Sequence, residues 1–369
     1  MGGMQVVFRV DASLETGAGH VMRCLTLADA LRANGATSCF VSREHPGNLI
    51  ALVRQHGYEV LPLPAVTMTP SDGVGGEPYA RWLGLPWQED AAQTLAEMNA
   101  RGTPEWLVVD HYALDERWER AVRAGCRNLL VIDDLANRRH DADILLDQTF
   151  GRQQADYQGL LNPGCELRCG VEHVLLRPEF DDWRARSLAH RSFPVLKRIL
   201  VSLGGVDKDN NSREILLALD RCGLPSDVEI CLVLGESSPW VSEMRQLAGQ
   251  LKTRVELKVA VANMAELLAG CDLAIGAAGT SAWERCCLGV PTLMLVLADN
   301  QREIAARLSS TGAAELLPPG SDLPAGLAAA VQRFLADPGC LLRMSERAAA
   351  LVPCSGAGWL ARAMTGARV

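Results

Sequence analysis

A glycine-containing loop with a histidine lies between the first apolar segment, residues 5–11, and the first helical pattern, residues 20–34. The loop reads Thr16-Gly17-Ala18-Gly19-His20. Free backbone N–H groups and the helix dipole converge at such a corner, which can therefore bind a phosphate. A histidine in the first helical turn can also act as a base near neutral pH, because the dipole favours its neutral form. We predict an anion site at Gly17 and Gly19 with His20 as its base; the alternative is that His20 only caps or packs the helix.

The loop matches neither of the two common phosphate-binding motifs. A dinucleotide fingerprint needs a third glycine, which is missing, and a P-loop needs Gly-Lys followed by Ser or Thr. Arg23, one turn further along the same helix face, meets either a phosphate or solvent.

Polar residues also follow two apolar segments that we predict to be strands. Tyr112 comes after Val109-Asp110-His111 and is placed to hydrogen-bond or stack on a sugar. The alternative is an aromatic residue that closes the core, with Asp110 capping the next helix. Asp133 and Asp134 end the following segment, where turn and capping roles are favoured over metal or acid–base chemistry.

The second half of the chain contains two further glycine-rich loops. Gly204 and Gly205 follow an apolar segment and open a corner suited to a diphosphate. The next loop is more informative: small residues at a helix start let a phosphate approach the backbone, and Glu284 in the first turn is placed to accept from ribose hydroxyls. The candidate ligands in and after this loop are Gly279, Thr280, Ser281, Glu284, Asn300 and Gln301. The alternatives are that Glu284 only complements the helix dipole and that Gln301 is a surface group.

The elements that position these loops alternate between short strands and longer helices. Such alternation predicts parallel sheets with helices on both faces. The pattern restarts at residue 197 after a charged link, residues 184–193, so we predict domains at 1–183 and 194–355 and a tail at 356–369. Residues 67–90 resemble an ordered insertion or lid. Two doubly wound domains that face each other bind ligands in the cleft at the C-terminal edges of their strands.

Composition limits the function classes. The chain has 369 residues and a net charge of −8, which argues against a nucleic-acid partner. Its 12 cysteines contain no Cys-x-x-Cys pair, so we predict reduced, mostly buried cysteines, no metal site and no cofactor. The start of the chain lacks a signal-peptide pattern, and the longest apolar run is too short to cross a bilayer. We therefore predict a cytoplasmic protein with no membrane partner.

Six sequence blocks resemble those of a known enzyme family. They are FRVDASLETGAGHVMRCLTLADAL, WLGLPWQEDA, VVDHYALDERWE, VIDDLANRRHDADILLDQ, CELRCGVEHVLLRPEF and SLGGVDKDN. In order and over nearly the whole chain they are similar to the UDP-2,4-diacetamido-2,4,6-trideoxy-β-L-altropyranose hydrolases of pseudaminic acid biosynthesis, a pathway linked to flagellin glycosylation. The region of Glu284, Gly289-Val290-Pro291 and Asp299-Asn300-Gln301 resembles the donor-binding half of GT-B proteins such as the peptidoglycan UDP-N-acetylglucosamine transferase. The resemblance implies a GT-B-like α/β fold: two Rossmann-like domains with parallel sheets facing a central cleft.

The resemblance also implies a reaction, namely metal-independent attack of water at the anomeric carbon of a UDP-sugar. His20 matches the catalytic base, Tyr112 and Asn300 match residues near the sugar, and Glu284 matches the ribose-contacting acid. Arg184 is carried over as a substrate-binding residue from the segment after the Arg-Pro-Glu-Phe block. UDP is a good leaving group, so one base suffices, and backbone N–H groups at Gly204, Gly205 and residues 279–281 would meet the charge on the diphosphate. We expect inversion at the anomeric carbon, and a monomer or weak homodimer.

Two other function classes remain open. A GT-B glycosyltransferase would share the UDP site but would need an acceptor groove. A non-catalytic nucleotide-sugar sensor would bind without turnover.

Overall fold

The chain forms two compact units. The computed structural model describes residues 3–65, 79–353 and 356–366, except for the side chain of Asn300. The first unit comprises Met1–Leu176 and Ser355–Val369, and the second comprises Arg177–Cys354. Both units contain a parallel β-sheet covered by helices, as the alternating pattern predicts.

The first unit contains a seven-stranded parallel sheet in the order β3-β2-β1-β4-β5-β6-β7. Its elements in chain order are β1 (Gln5–Val10), α1 (Gly19–Ala33), β2 (Thr37–Arg43), α2 (Ile50–Gln55), β3 (Glu59–Leu63), α3 (Trp87–Asn99), β4 (Trp106–Asp110), α4 (Glu116–Val122), β5 (Asn128–Ile132), β6 (Ile144–Asp147) and β7 (Glu166–Cys169).

The strand order of this sheet reverses between β1 and β4, whose last paired residues are Val10 and Asp110. The loops after these two strands therefore leave the sheet side by side, where open α/β sheets bind their ligands. Helix α1 covers the sheet with a stripe of buried residues at helical spacing, Val21, Cys24, Leu25, Ala28 and Leu31.

The second unit contains a six-stranded parallel sheet in the order β10-β9-β8-β11-β12-β13. Its elements are α5 (Pro178–Arg191), β8 (Arg198–Ser202), α6 (Asn211–Arg221), β9 (Glu229–Leu234), α7 (Val241–Ala248), β10 (Arg254–Val259), α8 (Met264–Ala269), β11 (Leu273–Ala277), α9 (Ser281–Cys287), β12 (Thr292–Leu295), α10 (Arg302–Thr311), β13 (Glu315–Leu316), α11 (Leu323–Ala336) and α12 (Gly339–Leu351). Here the order reverses between β8 and β11, where Ser202 is paired with Gly276.

The boundary between the units differs from the predicted one. The segment predicted as a link is part of helix α5 and belongs to the second unit. Its Arg191 is buried and donates to the carbonyl oxygens of Leu268, Ala269 and Cys271 at 2.8–3.1 Å. These bonds satisfy the C-terminal end of α8 and tie α5 to it. This charged segment is therefore a packed helix and not a linker, because its arginine caps a neighbouring helix.

The predicted tail is a helix of the first unit, α13 (Gly356–Thr365). Its apolar residues follow the helical spacing and are buried in the core beneath α1: Ala357, Leu360, Ala361 and Met364. The indole of Trp106 in β4 also donates to the Met364 carbonyl at 3.1 Å. The C-terminal segment is thus part of the first core and not an appendage.

Two other expectations need correction. We predicted an insertion or lid at residues 67–90, of which residues 67–78 lie outside the described structure. The rest of this segment belongs to the core, because Leu83, Leu85 and Asp90 are buried. Ten of the described cysteines have free thiols, whereas Cys287 is disulfide-bonded.

Within the described ranges, no helix combines the length and the apolar character needed to cross a bilayer.

Candidate active site

The loop between β1 and α1 is shaped by its own hydroxyl groups. The Ser13 backbone N–H donates to Thr16 Oγ1 at 2.7 Å, and the Thr16 N–H donates back to Ser13 Oγ at 3.0 Å. The Gly17 N–H then donates to the Ser13 carbonyl oxygen at 2.9 Å, with Gly17 at φ +72°. This left-handed conformation favours glycine. The loop ends at Gly19, the first residue of α1, which places His20 in the first helical turn as predicted.

His20 is bonded to a buried carboxylate. Its Nδ1 lies 2.6 Å from Oδ1 of Asp110, which is fully buried at the end of β4. Burial disfavours the charged form of Asp110, but Arg23 and His20 outweigh it and hold the pKa of this carboxyl well below its usual range. An ionised carboxylate only accepts, so we assign the proton of neutral His20 to Nδ1. Nε2 then carries the lone pair, and it has no hydrogen-bond partner among the described residues.

Arg23 completes this network and meets neither of the partners considered from the sequence. Its Nε and Nη2 both donate to the Asp110 carboxylate at 2.6 Å, and its Nη1 donates to Asp134 at 2.6 Å. The side chain is only 4% exposed. Arg23 therefore holds Asp110 in place as a bidentate partner and compensates its buried charge.

Tyr112 lies beside His20, and its hydroxyl is bonded to a protein side chain. The two rings meet edge to face with their centroids 4.6 Å apart, and the Tyr112 hydroxyl donates to Asp134 at 2.9 Å. Burial and Asp134 raise the pKa of Tyr112 well above its usual value, so the phenol stays neutral. Asp110 is not the cap of the next helix, because Asp115 accepts from the Arg117 N–H at the start of α4.

The paired acids Asp133 and Asp134 have different cationic partners. Asp134 is bonded to Arg23, whereas Asp133 lies 2.8 Å from Arg138 and accepts from the Ala136 N–H at 3.0 Å. Within the described part of the chain, no three His, Cys, Asp or Glu side chains converge as a metal site.

A buried histidine lies behind Asp133. His140 Nδ1 contacts Glu119 Oε1 at 2.6 Å, and Nε2 lies 3.7 Å from Asp133 Oδ2. Burial lowers the pKa of His140, but Asp133 and Glu119 outweigh it and raise that pKa to about 9. His140 is therefore a buried imidazolium at neutral pH.

The first glycine loop of the second unit leaves β8 with an open face. Gly204 has φ +93°, and a Cβ added at Gly204 or Gly205 would meet no atom within 4 Å. The helix start that follows is less available than predicted. The Asp207 carboxylate accepts from the Asn211 and Ser212 N–H groups at 3.0 and 2.9 Å. These two donors of α6 are thus satisfied by a side chain of the protein itself.

The second loop leaves β11 beside the first and is braced by a buried arginine. Arg285 donates to the Ala277 carbonyl oxygen at 2.6 Å and to Ser281 Oγ at 3.1 Å. A Cβ at Gly276 would lie 2.6 Å from Arg285 Nη1, so glycine there makes room for the guanidinium. Arg285 therefore fixes the backbone from which the Gly279, Thr280 and Ser281 N–H groups project.

The three polar residues predicted around this loop differ in how they contact the protein. Gln301 reaches it: its Oε1 accepts from the Leu297 N–H at 3.0 Å, and its Nε2 lies 3.6 Å from a Cβ built on Gly279. Glu284 is 23% exposed, with Arg177 Nη2 3.8 Å away. Burial raises the pKa of Glu284 to about 7, against the opposing charges of Arg177 and Arg285. Asn300 lies in a short turn, and its side chain is outside the described structure.

Arg184 does not have the ligand-binding position expected from the resemblance. Its guanidinium donates to the carbonyl oxygens of Cys287, Val352 and Ala349, the last at 2.8 Å. It therefore links α5 to the ends of α9 and α12. These bonds use three of the five guanidinium N–H donors, so Arg184 has a structural role in the second unit, and its contact with a substrate stays a prediction.

Comparison with known proteins agrees with this architecture. Residues 204–353 match the glycosyltransferase family 28 C-terminal domain. Among solved structures, Acinetobacter baumannii MurG superposes with a TM-score of 0.70 at 14% identity, covering 98% of this chain and 99% of that one. The calicheamicin glycosyltransferase CalG4 superposes with a TM-score of 0.62 at 17% identity, covering 100% and 99%. The chain has a GT-B-like fold.

Three relatives align over most of the chain. Protein MJ1062 of Methanocaldococcus jannaschii is 24% identical over 81% of this chain, which spans only 57% of the length of that relative. The UDP-2,4-diacetamido-2,4,6-trideoxy-β-L-altropyranose hydrolase of Campylobacter jejuni is 24% identical over 84% of this chain and 97% of its own length. The spore coat polysaccharide biosynthesis protein SpsG of Bacillus subtilis is 30% identical over 84% of this chain and 83% of its own length. The chain therefore belongs to the family of SpsG.

Proposed function

We propose that the chain is a hydrolase that cleaves the anomeric C–O bond of UDP-2,4-diacetamido-2,4,6-trideoxy-β-L-altropyranose. The products are UDP and the free sugar with inverted configuration, formed in pseudaminic acid biosynthesis without a metal or other cofactor. The observation that carries this proposal is the His20–Asp110 pair, which leaves Nε2 of a first-turn histidine as a base. The similarity of the chain to the Campylobacter jejuni hydrolase supports the choice of substrate.

The chemistry needs one base and stable placement of that base. His20 Nε2 takes a proton from water as the water oxygen bonds to the anomeric carbon and the bond from that carbon to the phosphate oxygen breaks. The electron pair leaves with UDP, which needs no protonation to depart. The imidazolium is stabilised by the ionised Asp110, which Arg23 holds through two hydrogen bonds. The proton then passes from Nε2 to solvent.

We assign the nucleotide to the loops of the second unit. Backbone N–H groups at Gly204, Gly205, Gly279, Thr280 and Ser281 would bind the diphosphate, which suits an acidic protein because these donors are local. Glu284 would accept from the ribose hydroxyls, and the open faces at Gly204 and Gly205 support close approach of a ligand. Asn300 and Gln301 remain proposed sugar contacts.

A glycosyltransferase is the second candidate. The match to the glycosyltransferase family 28 C-terminal domain supports it, since that region fits a UDP-sugar donor in either reaction. The two functions differ in what replaces UDP on the sugar: water in a hydrolase and an acceptor hydroxyl in a transferase. UDP release in the absence of any acceptor therefore separates them.

The decisive experiment incubates the protein with a panel of UDP-amino-sugars and no acceptor. We expect UDP release from the diacetamido-trideoxy sugar nucleotide, and turnover lowered roughly 10²–10⁴-fold in His20→Asn, the usual contribution of a general base. His56→Asn is the matched control, because His56 is exposed at the end of α2. In ¹⁸O-labelled water the label should enter the C1 hydroxyl of the sugar. Label in UDP would show attack at phosphorus and would remove His20 from its assigned role.

A further inference from the structure

Two aromatic side chains extend the surface beside His20. Tyr79 and Trp82 flank a short turn, and their rings lie 5.2 and 5.8 Å from the Tyr112 ring, centroid to centroid. They also contact each other at 4.7 Å. Tyr112 in turn contacts His20 at 4.6 Å. We call Tyr79, Trp82 and Tyr112 the aromatic face.

The turn that carries this face is anchored on both sides. Leu83 and Leu85 follow Trp82 and are each only 2% exposed, so they fasten the segment to the core. On the other side, Arg81 Nε lies 3.5 Å from Glu15 Oε2 in the loop that precedes His20. The position of Trp82 against Tyr112 is therefore supported by buried leucines, with an exposed ion pair that contributes little.

The aromatic face is partly open to solvent. Tyr79 and Trp82 are partly exposed, whereas Tyr112 is buried and its hydroxyl is bonded to Asp134. Aromatic ring faces pack against C–H groups, while the Tyr79 hydroxyl and the Trp82 indole N–H lie at the ring edges. The ring faces therefore favour a ligand that brings C–H surface, such as methyl groups.

We propose that the aromatic face recognises the sugar and selects N-acylated deoxy-hexoses over hexoses with free hydroxyls. The inference rests on the proposed function, because a base that activates water for attack on the anomeric carbon must lie beside the sugar ring. Tyr112 contacts that base, and Tyr79 and Trp82 contact Tyr112, so the aromatic face borders the same ring. Acetamido methyl groups and a 6-deoxy carbon provide the C–H surface that Trp82 and Tyr79 can cover.

The test measures binding in the His20→Asn chain, so that turnover does not interfere. Dissociation constants are determined by calorimetry for UDP, UDP-N-acetylglucosamine and the UDP-diacetamido-trideoxy sugar, with and without Trp82→Ala. We expect Trp82→Ala to weaken binding of the diacetamido-trideoxy compound roughly 10-fold or more, the usual value of lost apolar contact in a pocket. UDP itself should bind within about twofold, and the preference over UDP-N-acetylglucosamine should shrink. Trp87→Ala is the matched control, because Trp87 lies in the same segment and contacts Arg117.

Three outcomes would overturn the proposal. One is unchanged affinity for the diacetamido-trideoxy compound, and another is equal loss of affinity for UDP and both UDP-sugars, which would indicate stacking on the nucleotide. The third is an equal loss in Trp87→Ala. If Trp82→Ala fails to fold, Trp82→Leu keeps the apolar bulk without the ring and is judged by the same ratios. Failure of the hydrolase proposal is separately visible, because the unaltered chain would then release no UDP while the binding ratios still decide the role of Trp82.

Discussion

Replacing Asp110 by asparagine tests the pair on which the proposed chemistry depends. The substitution keeps the shape of the side chain but removes the charge 2.6 Å from His20 Nδ1. The amide no longer requires the proton at Nδ1, and it stabilises an imidazolium poorly. Loss of the carboxylate partner of a catalytic histidine lowers turnover by roughly 10⁴ in serine proteases, and we expect about 10²–10⁴ here. This range corresponds to about 3–5 kcal/mol of transition-state stabilisation.

The same substitution has a structural cost that must be separated from the kinetic one. Among the described residues, Arg23 would keep Asp134 as its only carboxylate partner, and breaking a buried ion pair costs up to about 3–5 kcal/mol. Asp90→Asn is the matched control. Asp90 is also fully buried, and it bonds to Arg9 and Arg43 at 2.6 Å without contacting His20.

The assay compares steady-state turnover per folded molecule, UDP affinity and urea unfolding for the three proteins. We expect both variants to lose stability, only Asp110→Asn to lose turnover, and both to bind UDP within a few-fold of the unaltered chain. Turnover of Asp110→Asn within about threefold of the unaltered chain would refute the assigned role of the pair, since general-base catalysis contributes far more. An equal loss of turnover in Asp90→Asn would show that the loss in Asp110→Asn comes from lower stability and not from the catalytic pair.

Three further predictions concern other parts of the molecule. Glu284→Ala should weaken UDP binding by about 1–3 kcal/mol in calorimetry if the carboxylate accepts from the ribose, and unchanged affinity with an intact fold would return it to a helix-dipole role. EDTA should leave UDP release unchanged; inhibition reversed by Mg²⁺ or Mn²⁺ would make Asp133 and Asp134 candidate ligands. The pKa of His140, raised to about 9, is above the value of about 6.5 for an unfolded histidine, so its contribution to stability is full below pH 6.5 and is lost as the pH rises through about 9. The unfolding free energy should therefore fall by up to about 3 kcal/mol over this range in the unaltered chain relative to His140→Gln, and parallel pH profiles would contradict the assignment.

The alternation of strands and helices could be predicted from the sequence because it depends on local patterns. Strand β1 lies within the first apolar segment, residues 5–11, and α1 begins and ends within one residue of the helical pattern at residues 20–34. The glycine loops could also be predicted at strand ends, because small residues between an apolar segment and a helical pattern are typical of such turns. Strands β3, β7 and β13 are harder to predict because they lie at sheet edges, where partial exposure weakens the apolar signal.

The sequence by itself therefore determined the fold class and the location of His20, Tyr112 and the glycine loops in the segments that follow strands. Only the tertiary structure decided which charges pair. His20 and Asp110 are 90 positions apart, and they meet because β4 pairs with β1, whereas β3, the strand that precedes β4 in sequence, lies at the edge of the sheet. The same holds for Arg184, whose donors are used by carbonyl groups that lie 103 to 168 positions away. A buried charge takes the partner that strand order and helix packing bring to it, and no local pattern encodes that order.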